Sequence, residues 1–156
     1  MTVTIWRIAV EAPDWSADDL SGASAQRSGG RWNSAGKAAL YCTSSIALAA
    51  LETLAHLRGN ALPFNRYLVK VSVPKTVWKR RDVLAPLPGG WDAEPAGLNS
   101  RRAGDNWLAG RTAAILVVPS AIVPDEDNFL VNPDHADAGK MHASTTKKWS
   151  YDPRFF

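Results

Sequence analysis

The chain has 156 residues, which suits one domain with a proper core, and 46% apolar against 21% charged residues is globular rather than disordered composition. A net charge of +3 favours anionic ligands slightly but falls short of the dense basic surface of a nucleic-acid binder, and the single cysteine, Cys42, excludes an internal disulfide and a cysteine-rich zinc site. No apolar run reaches the ~18 residues of a membrane helix, and "MTVTIWRIAVEAPDW" lacks the pattern of a signal peptide, so one cytoplasmic domain over residues 1–156 is expected.

"VTIWRIAV" (3–10) is rich in strand formers and predicts a strand. The polar, Gly/Ser-rich residues that follow, through Gly30, predict a long loop, and such a loop in a compact domain usually carries function. "AALYCT" (38–43) predicts a second strand with Cys42 as a small buried residue. Ser44 or Ser45 then caps a helix running to about Arg58 and ended by Gly59-Asn60. Its predicted buried stripe is Ile46, Ala47, Ala50, Leu51, Leu54 and Leu57, with Glu52 and His56 stacked on the opposite flank.

"RYLVKVSVP" (66–74) alternates as a strand ended by Pro74, and "APLPGGWDAEPAG" (85–97) is a loop. "NSRRAGDNWLAG" (99–110) predicts a short helix, and "AAILVVP" (113–119), the most apolar run, a central strand. "PDEDNFLVNPDH" reads as turn, strand, turn, and "TTKKWSYDPRFF" as an edge strand closing in an Asp-Pro turn. Strands outnumber helices, which predicts an α+β fold rather than a doubly wound sheet.

Taken singly, the candidate functional residues all have ordinary structural readings. Arg31 follows Gly29-Gly30, which let a ligand approach the backbone, and its planar fork suits phosphate or carboxylate; it could equally be a surface arginine beside a turn. Tyr41 is either a packing residue or a stacking platform for an aromatic ligand. Glu52 reads as an exposed helix carboxylate, and His56 as its partner, a core histidine or a proton carrier. Ser120 and Asn132 fit turns beside strands. The three histidines and the carboxylates are not spaced as a metal-ligand set, so no metal is expected, and no "GxSxG" supports serine-hydrolase chemistry.

Order and surroundings add what the single residues do not. Through "GGRWNSAGKAALYCTSSIALAALETLAHL", "VPSAIVPDEDNFLVNPDH" and "YDPRFF" the whole chain resembles the RES domain, the toxin half of RES–Xre toxin–antitoxin pairs. The Arg, Glu and Ser that give that family its name match Arg31, Glu52 and Ser120. The resemblance implies an ADP-ribosyltransferase-like α+β domain with two facing sheets around an NAD cleft. It implies cleavage of NAD⁺ at the nicotinamide–ribose bond by hydrolysis or phosphorolysis, causing growth arrest, with ADP-ribose transfer to a protein as the alternative. Arg31 would contact the NAD⁺ pyrophosphate, Tyr41 the nicotinamide ring, and Glu52 would be the catalytic carboxylate, with Ser120, Asn132 and His56 as further polar groups of the site.

The implied partner is an Xre-like helix-turn-helix antitoxin, with DNA met only through it; no membrane is implied, and a homodimer within the complex is compatible. The remaining reading is a non-enzymatic nucleic-acid-binding module. Its support is weak, because Trp6, Trp15, Trp32, Trp78, Trp91, Trp107 and Trp149 do not alternate with basic residues as a binding groove requires.

Overall fold

The computed structural model describes residues 1–57 and 63–156. Its strands are β1 (Thr2–Ala9), β2 (Leu40–Thr43), β3 (Tyr67–Pro74), β4 (Asp82–Val83), β5 (Ile115–Pro119), β6 (Asp127–Val131) and β7 (His142–Lys148). The helices are α1 (Ala23–Ser28), α2 (Ile46–Ala55), α3 (Lys75–Lys79) and α4 (Leu98–Gly110). All seven strands join one sheet in the order β4-β5-β6-β2-β1-β3-β7, antiparallel throughout except for the β4–β5 pair. The α+β reading therefore holds.

The sheet divides naturally at its middle. β1 and β3 are in register over eight residue pairs, from Thr2↔Pro74 to Ala9↔Tyr67, whereas β1 meets β2 only at Trp6↔Thr43. That narrow joint lets the β1-β3-β7 half fold over the β4-β5-β6-β2 half. One core cluster takes Ile5, Val69, Val71 and Val73 from the first half and Leu40, Cys42, Ile115, Phe129 and Val131 from the second. Val69, Val71 and Val73 are fully buried there, and each contributes roughly 1.5–3 kcal/mol by leaving water. Cys42 is buried in this core as a small packing residue.

Several elements differ from the sequence reading. The stretch 11–30 contains the six-residue α1, and α3 continues straight from the end of β3. The two-residue β4 is fastened by its carboxylate: Asp82 Oδ2 accepts from Trp107 Nε1 at 2.9 Å and from the Thr112 hydroxyl. The run 115–119 lies one place from the sheet edge instead of at its centre. The C-terminal edge strand lies earlier than predicted, at His142–Lys148, and the Asp-Pro turn is a 3-10 turn over Pro153–Phe155 capped by Asp152.

Helix α2 is the correction that matters for function. Ser45 caps it, accepting from the Leu48 amide, and His56 closes it; the predicted stop at Gly59-Asn60 lies outside the described residues. Its buried side chains are Leu48 and Ala49; of the predicted stripe, Ile46 and Ala50 pack against the core while Ala47 and Leu51 face solvent. An Ala/Leu-rich helix is apolar nearly all round, so periodicity cannot choose its inner face. Polar partners choose instead, and they draw Glu52 inward at the spacing 45, 48, 49, 52, 53.

Candidate active site

The Arg31 segment is held as a tight turn. Gly29 has φ 71°, in the left-handed region, and the Gly30 amide donates to the Asn33 carbonyl at 2.9 Å. A Cβ on Gly30 would lie 2.7 Å from the Tyr41 hydroxyl oxygen, so only glycine lets Tyr41 come this close. The Tyr41 hydroxyl donates to Asn33 Oδ1 at 2.6 Å and accepts the Trp32 amide at 3.0 Å. Burial raises the Tyr41 pKa well above the ordinary phenol value, with the Asp105 charge adding to it, so this hydroxyl stays protonated. Asn33, fully buried, donates in turn to the Ala25 and Lys37 carbonyls, each at 2.9 Å. Behind the turn the Trp32 ring stacks on Trp91 with centroids 6.4 Å apart.

Arg31 projects from this anchored turn and reaches the 91–94 loop. Nη1 donates to the Trp91 and Ala93 carbonyls at 3.0 and 2.7 Å, and Nη2 pairs with Glu94 Oε2 at 3.2 Å. Its side chain is 18% exposed while that of Glu94 is 81% exposed, so the cation is sheltered and its counter-ion is not.

Glu52 is held by two side-chain donors. The Ser120 hydroxyl donates to Glu52 Oε1 at 2.6 Å, and Asn128 Nδ2 donates to the same oxygen at 2.7 Å. Among the described residues nothing donates to Oε2, so one carboxylate oxygen is anchored and the other left available. Ser120 is itself fixed, its oxygen accepting the Ile122 and Val123 amides at 3.1 and 3.0 Å. One turn along the helix, His56 Nδ1 lies 2.6 Å from the Glu52 carbonyl oxygen. A carbonyl only accepts, so Nδ1 carries the proton and a neutral His56 keeps its Nε2 lone pair free.

Arg31, Tyr41, Glu52 and His56 all line one cavity of about 1100 Å³, together with Asn128 and three further cations, Arg7, Arg66 and Arg101. Ser120 does not line it; fully buried, it reaches the cavity only through Glu52. Asn132 is also elsewhere. Its amide donates to the Leu108 carbonyl at 2.9 Å and accepts the Asp134 amide at 3.1 Å, beside a separate crevice of about 680 Å³. Its place in the ligand site is thus replaced by a structural one, joining β6 to α4. Among the described residues no three His, Cys, Asp or Glu side chains cluster as a metal site.

Sequence reasoning passed over three residues. Arg7 lines the cavity from β1, and among the described residues its buried Nε has no hydrogen-bond partner; burial lowers its pKa from the usual guanidinium value. An enclosed guanidinium with an unmet donor calls for an anion, and the charged residue inside "VTIWRIAV" was the visible signal. Asn33 and Asn128 resemble ordinary turn and strand residues, and only tertiary contacts give them work.

Fold and cavity together define a small α+β domain with one large arginine-lined cavity. The match to known families is specific: the model of the RES domain covers residues 4–153, and this chain belongs to the RES domain family. Among curated proteins it is similar to the "Prs ADP-ribosylating toxin" of Sphingobium sp. (strain YBL2), 52% identical across 99% of this chain and 97% of that one. It is also similar to two proteins called "Toxin Res". That of Pseudomonas putida is 37% identical over 86% of this chain and 87% of its own. That of Yersinia enterocolitica is 33% identical over 88% and 91%. Among solved structures, a chain of the M. tuberculosis MbcT-MbcA toxin-antitoxin complex shares the fold, with TM-score 0.65 at 17% identity over 99% of this chain and 87% of that one.

Proposed function

We propose that this protein is a toxin that cleaves the nicotinamide–ribose bond of NAD⁺. The observation that carries the reading is the split carboxylate of Glu52, a residue lining the arginine-rich cavity: one oxygen is held by Ser120 and Asn128 and the other has no donor among the described residues. As the bond breaks, C1′ of the ribose gains positive charge, and a fixed carboxylate that holds a ribose hydroxyl stabilises that oxocarbenium-like state. Anchoring Oε1 beforehand means that little reorganisation is left for the transition state. Nicotinamide departs neutral, so no general acid is required.

The cations suit the rest of the substrate. Arg7 and Arg31 would hold the doubly anionic pyrophosphate, Arg7 with a donor unmet among the described residues, Arg31 after exchanging Glu94 for phosphate oxygens. The Tyr41 ring would flank the pyridinium, since its hydroxyl is already committed to the turn. The acceptor, water or phosphate, would meet His56 Nε2 at the cavity wall. Ser120, being buried, positions Glu52 instead of assisting attack. The names of the relatives support a toxin restrained by a partner, for which an Xre-like helix-turn-helix antitoxin is the natural candidate.

A second reading keeps the same residues and changes the acceptor. The relative at 52% identity is called an ADP-ribosylating toxin, which favours transfer of ADP-ribose to a protein. Incubating the purified protein with adenylate-labelled NAD⁺, with and without phosphate and with cell lysate, separates these. Free nicotinamide with label on ADP-ribose or its 1″-phosphate supports hydrolysis or phosphorolysis. Label on a protein band supports transfer, and intact NAD⁺ in every arm overturns both.

A further inference from the structure

Among the described residues the buried amide oxygen of Asn128 has no hydrogen-bond partner, although the same amide's nitrogen donates to Glu52 Oε1 at 2.7 Å. The amide cannot be turned round, because a carboxylate accepts and does not donate; reversal would set oxygen against oxygen. Asn128 sits in the interior of the sheet, in register with Thr43 of β2 and Val118 of β5, so strands on both sides fix its backbone. Asn128 is among the residues that line the large cavity, as is Glu52. A buried acceptor left unsatisfied is costly and rare in folded proteins, and it is retained where something outside the chain completes it.

We propose that Asn128 is a substrate-binding residue that reads the ribose diol: Nδ2 holds Glu52 in place and Oδ1 accepts a hydrogen bond from the hydroxyl neighbouring the one bound by Glu52 Oε2. This rests on the NAD⁺-cleaving reading above. The free oxygen of Glu52 and the orphan oxygen of Asn128 are two acceptors whose relative position is set by the hydrogen bond between the residues. A cis-diol on a furanose ring presents two donors with an equally fixed separation. Two rigid pairs can match at little entropic cost. A phosphate or a deoxyribose edge lacks the second donor, so the arrangement selects a ribonucleoside with both hydroxyls free.

The test measures kcat/KM for NAD⁺ and for its analogue lacking the 3′-hydroxyl of the nicotinamide ribose, with wild type, Asn128→Ala and Asn128→Asp. Wild type is expected to lose about tenfold or more on the analogue. Asn128→Ala is expected to cleave NAD⁺ poorly and to lose little further on the analogue. The isosteric Asn128→Asp keeps an acceptor but no longer donates to Glu52, so kcat falls while sensitivity to the missing hydroxyl persists. Equal losses on the analogue in wild type and Asn128→Ala, or indifference of wild type to it, overturn the role of Oδ1. Wild type that leaves NAD⁺ itself intact overturns the catalytic reading and this role with it.

Discussion

Ser120 and Glu52 are 68 residues apart in sequence, yet a hydroxyl with no exposed surface donates to the carboxylate at 2.6 Å. Ser120 also receives two backbone amides, so it is a relay from the 120–123 turn to the acid, not a surface nucleophile.

Ser120→Ala removes one hydrogen bond to a charged group and leaves two amides without their acceptor. A bond of that kind is worth about 1.5–3 kcal/mol, which corresponds to roughly ten- to hundredfold in rate if it is held through the transition state. NAD⁺ turnover should fall by that factor with KM little changed, and the melting temperature should drop. A variant that turns over at the wild-type rate would show that Glu52 needs no such support.

Under the proposed function, Glu94 would compete with NAD⁺ for Arg31. The pair is exposed on its acidic side and is worth at most about 1 kcal/mol. Glu94→Gln should therefore raise kcat/KM for NAD⁺ about two- to fivefold at low salt, and the gain should shrink as ionic strength rises. A higher KM in the variant would mean that Glu94 holds Arg31 in its working position.

Tyr41 lines the cavity and its hydroxyl is held in the turn, and Tyr41→Phe separates the ring from the hydroxyl. The variant keeps the aromatic face but leaves the Trp32 amide and Asn33 Oδ1 unpaired, at a cost of about 1–3 kcal/mol. Chemical denaturation should register that loss while the affinity for NAD⁺ changes less than in Tyr41→Ala. Equal affinity losses in Phe and Ala variants would assign the binding role to the hydroxyl.

Burial pushes the Cys42 thiol from 9.0 up to about 11, since the thiolate would sit in the core. The unfolded thiol ionises first as pH rises, so the stabilisation is complete below pH 9 and is lost progressively between 9 and 11. The slope approaches about 1.4 kcal/mol per pH unit from this group alone. Cys42→Ala should be less stable at neutral pH yet show a flatter decline in urea-derived stability across that window. An unchanged alkaline slope would place the pH dependence on other groups.

The unit from Ser28 to Glu52 was legible because its punctuation is local: paired glycines make the turn, a short apolar run makes β2, and Ser45 caps α2. That is why Arg31, Tyr41 and Glu52 could be singled out and why the cavity they share was foreseeable. What stayed hidden depends on contacts between distant segments. Asn128 meets Glu52 across 76 residues, and Asp105 fastens Ser34 across 71. Arg7 looks like one polar position in a strand until the fold encloses its Nε. The inner face of α2 was legible only in part, Ile46 and Ala50 packing against the core while Ala47 and Leu51 face solvent, because its composition offers little contrast; and nothing in the sequence separates a buried structural asparagine such as Asn132 from a ligand-binding one.

Helix α4 supports the site from behind through a contact that tolerates no side chain. A Cβ on Gly104 would lie 1.7 Å from the Trp32 carbonyl oxygen and 2.6 Å from its carbon, so backbone, not a flexible side chain, blocks it. The next residue is equally committed, because Asp105 on the same helix accepts the Ser34 amide at 2.9 Å and its hydroxyl at 2.5 Å. Gly104→Ala must therefore push α4 off the 32–34 turn that carries Arg31, against a helix propensity that would otherwise favour alanine by about 1 kcal/mol. The expected net loss is about 3 kcal/mol or more, read as a lower urea midpoint and lost NAD⁺ cleavage. Any Gly104→Ala protein that melts at or above the wild-type temperature would mean that α4 and the Arg31 turn are not packed together as described.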